Sequence, residues 1–239
     1  MTIADNLKRV RERIAVAAER AGRGAEEITL VGVTKYVGPQ EAAELAAAGC
    51  TDLGESRPQE LWKKTGELAS ASGDLSGTNP IHWHLIGHLQ RNKVHRTLPL
   101  VTLIHSIDSE RLLAAINEAC LGASGAALPV NVLLEVNTSG ESAKHGLTPN
   151  AVEPLLAGAT QYPNVRIRGL MTMAALEGGP EVAARNFAAL RELRDRLKPN
   201  APAGVQLKEL SMGMSGDFEV AIREGATIVR VGSSLWTKT

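Results

Sequence analysis

The chain has 239 residues, 44% of them hydrophobic, so it can bury one substantial core, and the prediction is a single domain over residues 1–239. Lysine plus arginine and aspartate plus glutamate both total 26, and a net charge of +0 argues against nucleic acid or an anionic membrane as a partner. Residues 1–9 are too charged for a signal peptide, and no apolar run approaches a membrane span, so we expect a cytoplasmic protein. Cys50 and Cys120 lie far apart and are predicted to be buried thiols.

The predicted elements alternate along the chain. An amphipathic helix over 3–21 precedes an apolar strand over 28–33, and a helix over 39–46, with Pro39 in its first turn, precedes a strand over 51–54. Further strands are predicted near 81–86, 101–105, 130–136, 165–170, 206–210 and 226–231. Further helices are predicted near 57–69, 90–97, 109–120, 149–160, 180–197 and 217–224, with a loop over 70–80.

This alternation predicts the fold class. Strands that are apolar almost throughout, such as residues 130–136, are typical of a parallel sheet covered by helices on both faces. Eight such units close most simply into a single-domain (β/α)8 TIM barrel, here with an additional N-terminal helix. A doubly wound open sheet is the alternative, but no Gly-x-Gly-x-x-Gly turn follows a strand, as dinucleotide binding by such a sheet would require.

A lysine stands where the first strand ends. Lys35 follows Val31 and Val33 at period two, so the alternation places it on their face, pointing into the barrel mouth. Barrel active sites lie at this end of the strands, and burial frees a lysine amine to condense with an aldehyde. A lysine that simply reaches solvent at the strand end is the alternative.

Two loops rich in glycine and serine follow the last two strands. Residues 211–217 read Ser-Met-Gly-Met-Ser-Gly-Asp before a helix, and residues 232–234 read Gly-Ser-Ser. Many barrels bind phosphate at these positions through backbone N–H groups and hydroxyls. Each loop alone is an ordinary turn, but the two together with Lys35 predict a site for an aldehyde that carries a phosphate.

Arg230 shares a face with Ile228 in the last predicted strand, inside the barrel. A buried guanidinium needs an acceptor, and either the ring nitrogen of a pyridine cofactor or an ion pair with Glu209, Glu135 or Asp217 would supply it. Because arginine only donates, a ring nitrogen facing it stays unprotonated, and the ring is then a weaker electron sink.

Several segments together resemble the pyridoxal phosphate homeostasis protein family, in order and over nearly the whole chain. They are Leu30–Lys35, Leu53–Ser56, His82–Lys93, Arg168–Met171, Leu210–Ser215 and Val229–Ser233. The resemblance implies the barrel of the alanine racemase N-terminal domain and pyridoxal 5'-phosphate as the cofactor. It also implies a role in intracellular vitamin B6 homeostasis without established catalysis, with apo-enzymes that receive the cofactor as partners; we expect a monomer.

The same resemblance implies a Schiff base on Lys35 and a ring-nitrogen contact from Arg230. It places phosphate contacts on Ser215, Gly232 and Ser233, with further cofactor contacts from Ser211 and Met214. No catalytic residue and no metal ligand are expected. Two departures from the family pattern stand near the site: Ser56 replaces the usual asparagine, and residues 36–39 replace the usual Thr-x-Pro.

The sequence also contains residues that are typical of a metal site or of a racemase. His82, His84, His88 and His95 suggest a metal, but no carboxylate cluster is evident beside the first two. An amino-acid racemase of related fold is the alternative function, and it needs a base on each face of the substrate α-carbon. Tyr36 is predicted on the strand face opposite Lys35 and Tyr162 in a loop before the sixth strand, and no second domain that could bring another tyrosine is expected.

Overall fold

The computed structural model describes residues 2–71, 80–120, 129–141 and 144–237. Its parallel strands close into one barrel in which each strand pairs with the next and β8 pairs with β1. The strands are β1 Thr29–Val33, β2 Asp52–Glu55, β3 His82–Leu85, β4 Leu103–Ile107, β5 Val130–Glu135, β6 Val165–Met171, β7 Val205–Ser211 and β8 Ile228–Val231. The predicted eight-stranded barrel is confirmed, and the open-sheet alternative is wrong.

The helices surround the barrel in chain order. They are α1 Ile3–Arg20, α2 Pro39–Ala47, α3 Pro58–Ala71, α4 Val94–Thr97, α5 Glu110–Ala119, α6 Pro149–Ala157, α7 Gly179–Leu197, α8 Phe218–Arg223 and α9 Ser233–Trp236. The predicted helix over 90–97 is instead a 3-10 turn followed by the single turn α4. The predicted loop over 70–80 is helical at its first two residues, and 72–79 lie outside the described residues.

The buried apolar side chains form two layers. The larger layer lies between the strands and the helices, and a small cluster fills the barrel interior, with Val31, Leu103, Leu133, Met171 and Ile228 as its members. Because side chains alternate along a strand, the interior cluster identifies which positions face inward. Cys50 and Cys120 are buried free thiols, as predicted, and burial raises the pKa of Cys50 to about 11.

The additional N-terminal helix, predicted from its amphipathic pattern, completes the outer layer. A capping box of Thr2 and Asp5 starts α1, and Asn6, which is buried, donates from Nδ2 to the carbonyl oxygens of Leu235 (3.0 Å) and Thr237 (3.2 Å). These bonds tie the first helix to α9. Across the described ranges, no helix is long and apolar enough to cross a membrane.

Candidate functional site at the carboxyl end of the barrel

Lys35 lies in a tight turn directly after β1, where the Val37 N–H donates to the Thr34 carbonyl at 3.0 Å. Because β1 ends at Val33, the strand alternation does not extend to Lys35, and its orientation into the barrel mouth stays a prediction. Lys35 is exposed, and its Nζ lies 5.0 Å from the centroid of the Tyr36 ring. Tyr36, predicted to lie on the opposite face, is therefore beside the lysine amine.

A buried ion pair supports this turn from below. Lys64 of α3 is 2% exposed, and its Nζ donates to Glu55 Oε2 at 2.5 Å and to the Thr34 carbonyl at 2.7 Å. Glu55 also accepts from the Thr34 hydroxyl at 3.1 Å. This pair is not predictable from local sequence, because Lys64 resembles an exposed lysine on an amphipathic helix until the tertiary contact is known.

The two predicted phosphate loops are joined to each other. The Gly232 N–H after β8 donates to the Ser215 hydroxyl oxygen at 3.0 Å, and the Met214 N–H donates to Asp217 Oδ1 at 2.6 Å. Ser233 is exposed at the start of α9. The Ser215 hydroxyl hydrogen remains able to donate to an anion, whereas the N–H groups of Met214 and Gly232 already have acceptors.

Arg230 is 4% exposed in the barrel interior, on the inward face shared with Ile228, as predicted. Its Nη1 donates to the Ser211 hydroxyl at 2.6 Å and its Nη2 to the Thr172 carbonyl at 3.0 Å. In the part of the chain that the structure describes, no carboxylate is bonded to Arg230, contrary to the ion-pair alternative. Burial lowers its pKa to about 10, against the opposing charges of Asp217 and Glu135.

A continuous chain of buried polar contacts leads away from Arg230 across the barrel interior. Ser211 Oγ lies 2.8 Å from His105 Nδ1, His105 Nε2 lies 2.9 Å from His84 Nδ1, and His84 Nε2 lies 3.1 Å from Asp52 Oδ1. Asp52 borders a pocket of about 380 Å³ at the amino ends of the strands. This series of side-chain contacts thus extends from Arg230 to the amino end of the barrel.

The direction of this chain follows from its donors and acceptors. Every contact is satisfied when His84 donates to Asp52, His105 donates to His84, and the Ser211 hydroxyl donates to His105. The Ser211 oxygen is then free to accept from Arg230. Burial first, then the charges of His84 and Arg230, hold the pKa of His105 well below its usual range, which favours the neutral form.

Two carboxyl groups flank this region. Burial raises the pKa of Glu135 at the end of β5, and the neighbouring Asp108 raises it further. Burial also raises the pKa of Asp217, against the lowering effect of its hydrogen bond from Met214. Arg230 lowers both pKa values, so it provides long-range compensation without a direct contact.

The donors present suit an anionic pyridine cofactor. Of the five N–H donors of a guanidinium, two have acceptors here, and across the described residues the other three of Arg230 have none. The Ser215 and Ser233 hydroxyls and the Lys35 amine lie at the same end of the barrel. Ser211, a predicted cofactor contact, accepts from Arg230 Nη1 and bonds His105 Nδ1 within the protein, and its contact with the cofactor stays a prediction.

The surroundings of His82 and His84 differ from the expectation that no carboxylate lies beside them. His82 and His84 do have a neighbouring carboxylate, since Asp52 Oδ1 lies 3.6 Å and 3.1 Å from their ring nitrogens. Tyr162 lies in the connection just before β6, as predicted, and its hydroxyl donates to Glu110 Oε1 at the start of α5 at 2.9 Å.

A family model identifies the structural class of this protein. The family described as alanine racemase, N-terminal domain, matches residues 6–239. An alanine racemase from Corynebacterium glutamicum is 14% identical with a TM-score of 0.68, and the match covers 96% of this chain and 60% of that one. This similarity shows the barrel fold, so the protein is a barrel of the alanine racemase N-terminal class.

The curated relatives identify the family within that class. The pyridoxal phosphate homeostasis proteins of Aquifex aeolicus (42% identity over 236 residues, 99% of this chain and 98% of the relative) and Escherichia coli (33% over 234 residues, 98% and 95%) match nearly end to end. The structure of PipY from Synechococcus elongatus with pyridoxal phosphate bound is 31% identical, with a TM-score of 0.83, covering 99% of this chain and all of PipY. The chain belongs to the pyridoxal phosphate homeostasis protein family.

Proposed function

We propose that this protein binds pyridoxal 5'-phosphate, holds it covalently through Lys35, and serves intracellular vitamin B6 homeostasis in the cytoplasm by storing the cofactor or passing it to apo-enzymes. The observation that carries the proposal is the placement of three donor groups at one end of the barrel. These are the exposed amine of Lys35, the linked loops at Ser215 and Gly232, and Arg230 with three unused N–H donors.

Each group has a distinct task in this proposal. The Lys35 amine condenses with the aldehyde, while the hydroxyls of Ser215 and Ser233 donate to the phosphate. Contacts from Met214, Gly232 and Ser211 remain predictions; the first two already use their N–H groups, and Ser211 orients Arg230. Bound pyridoxal phosphate supplies an electron sink for amino-acid chemistry, and Arg230 keeps that sink weak because its guanidinium only donates.

The arrangement also supports a role without turnover. Racemisation needs a second base facing Lys35 across the substrate. The two tyrosines of the chain do not provide it, since the Tyr36 ring lies beside the lysine amine and the Tyr162 hydroxyl is bonded to Glu110 of α5. An amino-acid racemase is therefore the weaker candidate.

Carrier and racemase give different results in one experiment. The cofactor-loaded protein is incubated with L- and D-alanine in deuterated water, and α-deuteration and chirality are followed; in parallel it is mixed with an apo-enzyme that requires the cofactor. The proposal expects activation of the apo-enzyme and negligible racemisation. Racemisation at ordinary enzymic rates, about 1–10³ per second, would contradict it.

A further inference from the structure

Three side chains on neighbouring loops form a compact group at the rim of the barrel. His88 follows β3, Asp108 follows β4 and His145 lies in the loop after β5. His88 Nδ1 lies 3.1 Å from Asp108 Oδ2, and the His88 and His145 rings are stacked with centroids 5.2 Å apart and planes inclined by 20°. One ligand atom from each residue lies within 4.8 Å of the others. We call these residues the His-Asp-His cluster.

The backbone holds the first two members of the cluster in place. A Cβ on Gly87 would lie 2.3 Å from the Ser56 carbonyl oxygen, so only glycine allows this close approach, and the Gly87 carbonyl accepts from the Ser106 hydroxyl at 2.7 Å. These contacts fix the loop before His88 against β4. Asp108 accepts from Ser109 at one carboxylate oxygen, Oδ1, and presents the other, Oδ2, to His88.

The third member is held by a turn that only glycine adopts easily. Gly146, next to His145, has φ +115°, and the following Leu147 N–H donates to the Glu135 carbonyl at 2.8 Å. The Asn137 N–H in turn donates to the Leu147 carbonyl at 2.9 Å. His145 is therefore carried by a loop pinned to the end of β5.

The charges around the cluster favour a cation. Asp108 lies close enough to the buried Glu135 to raise the pKa of that carboxyl, and His88 is the sole ion-pair partner of Asp108 across the described ranges. Lys144, adjacent to His145, is engaged by Glu141 and by the Ala174 carbonyl. The contact between His88 and Asp108 does not by itself account for His145, whose ring is stacked on that of His88.

We propose that His88, Asp108 and His145 bind a divalent transition-metal ion of the Zn²⁺ class. Two imidazoles and one carboxylate are a common ligand set for such ions, and a three-ligand site leaves a position for water or an anionic ligand oxygen. Ligand atoms at about 2.0–2.1 Å from tetrahedral Zn²⁺ lie roughly 3.3 Å apart. The His88–Asp108 contact already has nearly that spacing, and the exposed imidazole of His145 can close the remainder by rotating.

The test uses untagged full-length protein, freed of metal with a chelator and carrying its own cofactor. ZnCl₂ is titrated by calorimetry and CoCl₂ by visible absorption, which reports the coordination of Co²⁺. We expect one ion per chain, with affinity at least about tenfold weaker in His145→Ala and in Asp108→Asn. His95→Ala, which removes an exposed histidine outside the cluster, is the matched control and should bind as the wild type does.

Two kinds of result would overturn the proposal: no saturable binding by the wild type, or unchanged affinity in His145→Ala or Asp108→Asn. Thermal unfolding of each metal-free variant establishes that it is folded, and the exposed positions of His88 and His145 make His88→Ala a further variant if Asp108→Asn fails to fold. Repeating the titration on Lys35→Ala separates this site from the proposed cofactor function, since metal binding should survive there.

Discussion

Lys35 and Arg230 are the two cations that the proposed function uses, and the fold holds them in different ways. Lys35 is exposed on a turn, and the buried Lys64–Glu55 pair supports the backbone beneath it and leaves its amine free. Arg230 is buried, and hydrogen bonds to Ser211 and Thr172 fix its guanidinium directly. In the proposed function, the group that forms and releases a covalent bond is exposed to solvent, whereas the group that orients the ring is fixed by buried hydrogen bonds.

A substitution at Lys64 of α3 removes the ion pair beneath the Lys35 turn. Lys64→Ala leaves the Glu55 carboxylate buried without its partner, so we expect the free energy of unfolding to fall by about 3–5 kcal/mol. Lys63→Ala is the matched control, because Lys63 is exposed and, among the residues that the structure describes, pairs only with Glu67 at 3.9 Å, a contact worth less than about 1 kcal/mol. Urea unfolding of both variants makes the comparison; equal losses would show that the buried pair does not support the turn.

The proposed phosphate contact of the linked loops is tested at Ser215. Ser215→Ala removes a hydroxyl that would donate to the phosphate, so we expect binding of pyridoxal phosphate to weaken by about 1.5–3 kcal/mol. Unphosphorylated pyridoxal should bind almost as before. Ser70→Ala on α3 serves as the control, and fluorescence titration with both ligands measures the effect. Similar losses for the two ligands would count against a phosphate role.

A substitution at Ser211 distinguishes a residue that orients Arg230 from one that binds the phosphate directly. Ser211→Ala leaves a donor of Arg230 and an acceptor of His105 unsatisfied, and we expect a loss of about 1–3 kcal/mol in unfolding free energy. Because the effect on ligands passes through Arg230, pyridoxal phosphate and pyridoxal should weaken together, unlike in Ser215→Ala. A loss confined to the phosphorylated ligand would instead make Ser211 a phosphate contact.

The buried chain also predicts a pH dependence of stability. Since the pKa of His105 is lowered in the folded state, the unfolded chain takes up its proton first as pH falls below about 6.5, and stability is lost. The slope contributed approaches about 1.4 kcal/mol per pH unit. His105→Gln should unfold more easily at all pH values but show a shallower slope between pH 7.5 and 5 in urea titrations. Glu135 and Asp217, with raised pKa values, act in the opposite direction in both proteins. An unchanged slope would contradict a neutral His105.

Periodicity along the chain was sufficient for the barrel and for Arg230, because inward and outward positions alternate strictly within a strand. Periodicity does not extend to Lys35, because the strand ends two residues earlier and a turn, which has no fixed alternation, carries the side chain. Lys64, His105 and the Asp52–His84 contact join residues from different strands and helices, so local pattern could not reveal them. The proximity of the glycine- and serine-rich loops after β7 and β8 was predictable, because adjacent strands of a barrel place the loops that follow them side by side.

The most direct test of the account is to identify the residue that carries the cofactor. The purified protein is reduced with borohydride, its absorption spectrum is recorded before and after, and the modified peptide is mapped by mass spectrometry alongside Lys35→Ala. We predict that the label lies on Lys35 in the wild type and that covalent attachment is absent in a still folded Lys35→Ala, because the exposed lysine fills no core cavity. Label on Lys93, Lys144 or Lys208, with Lys35 unmodified, would contradict it.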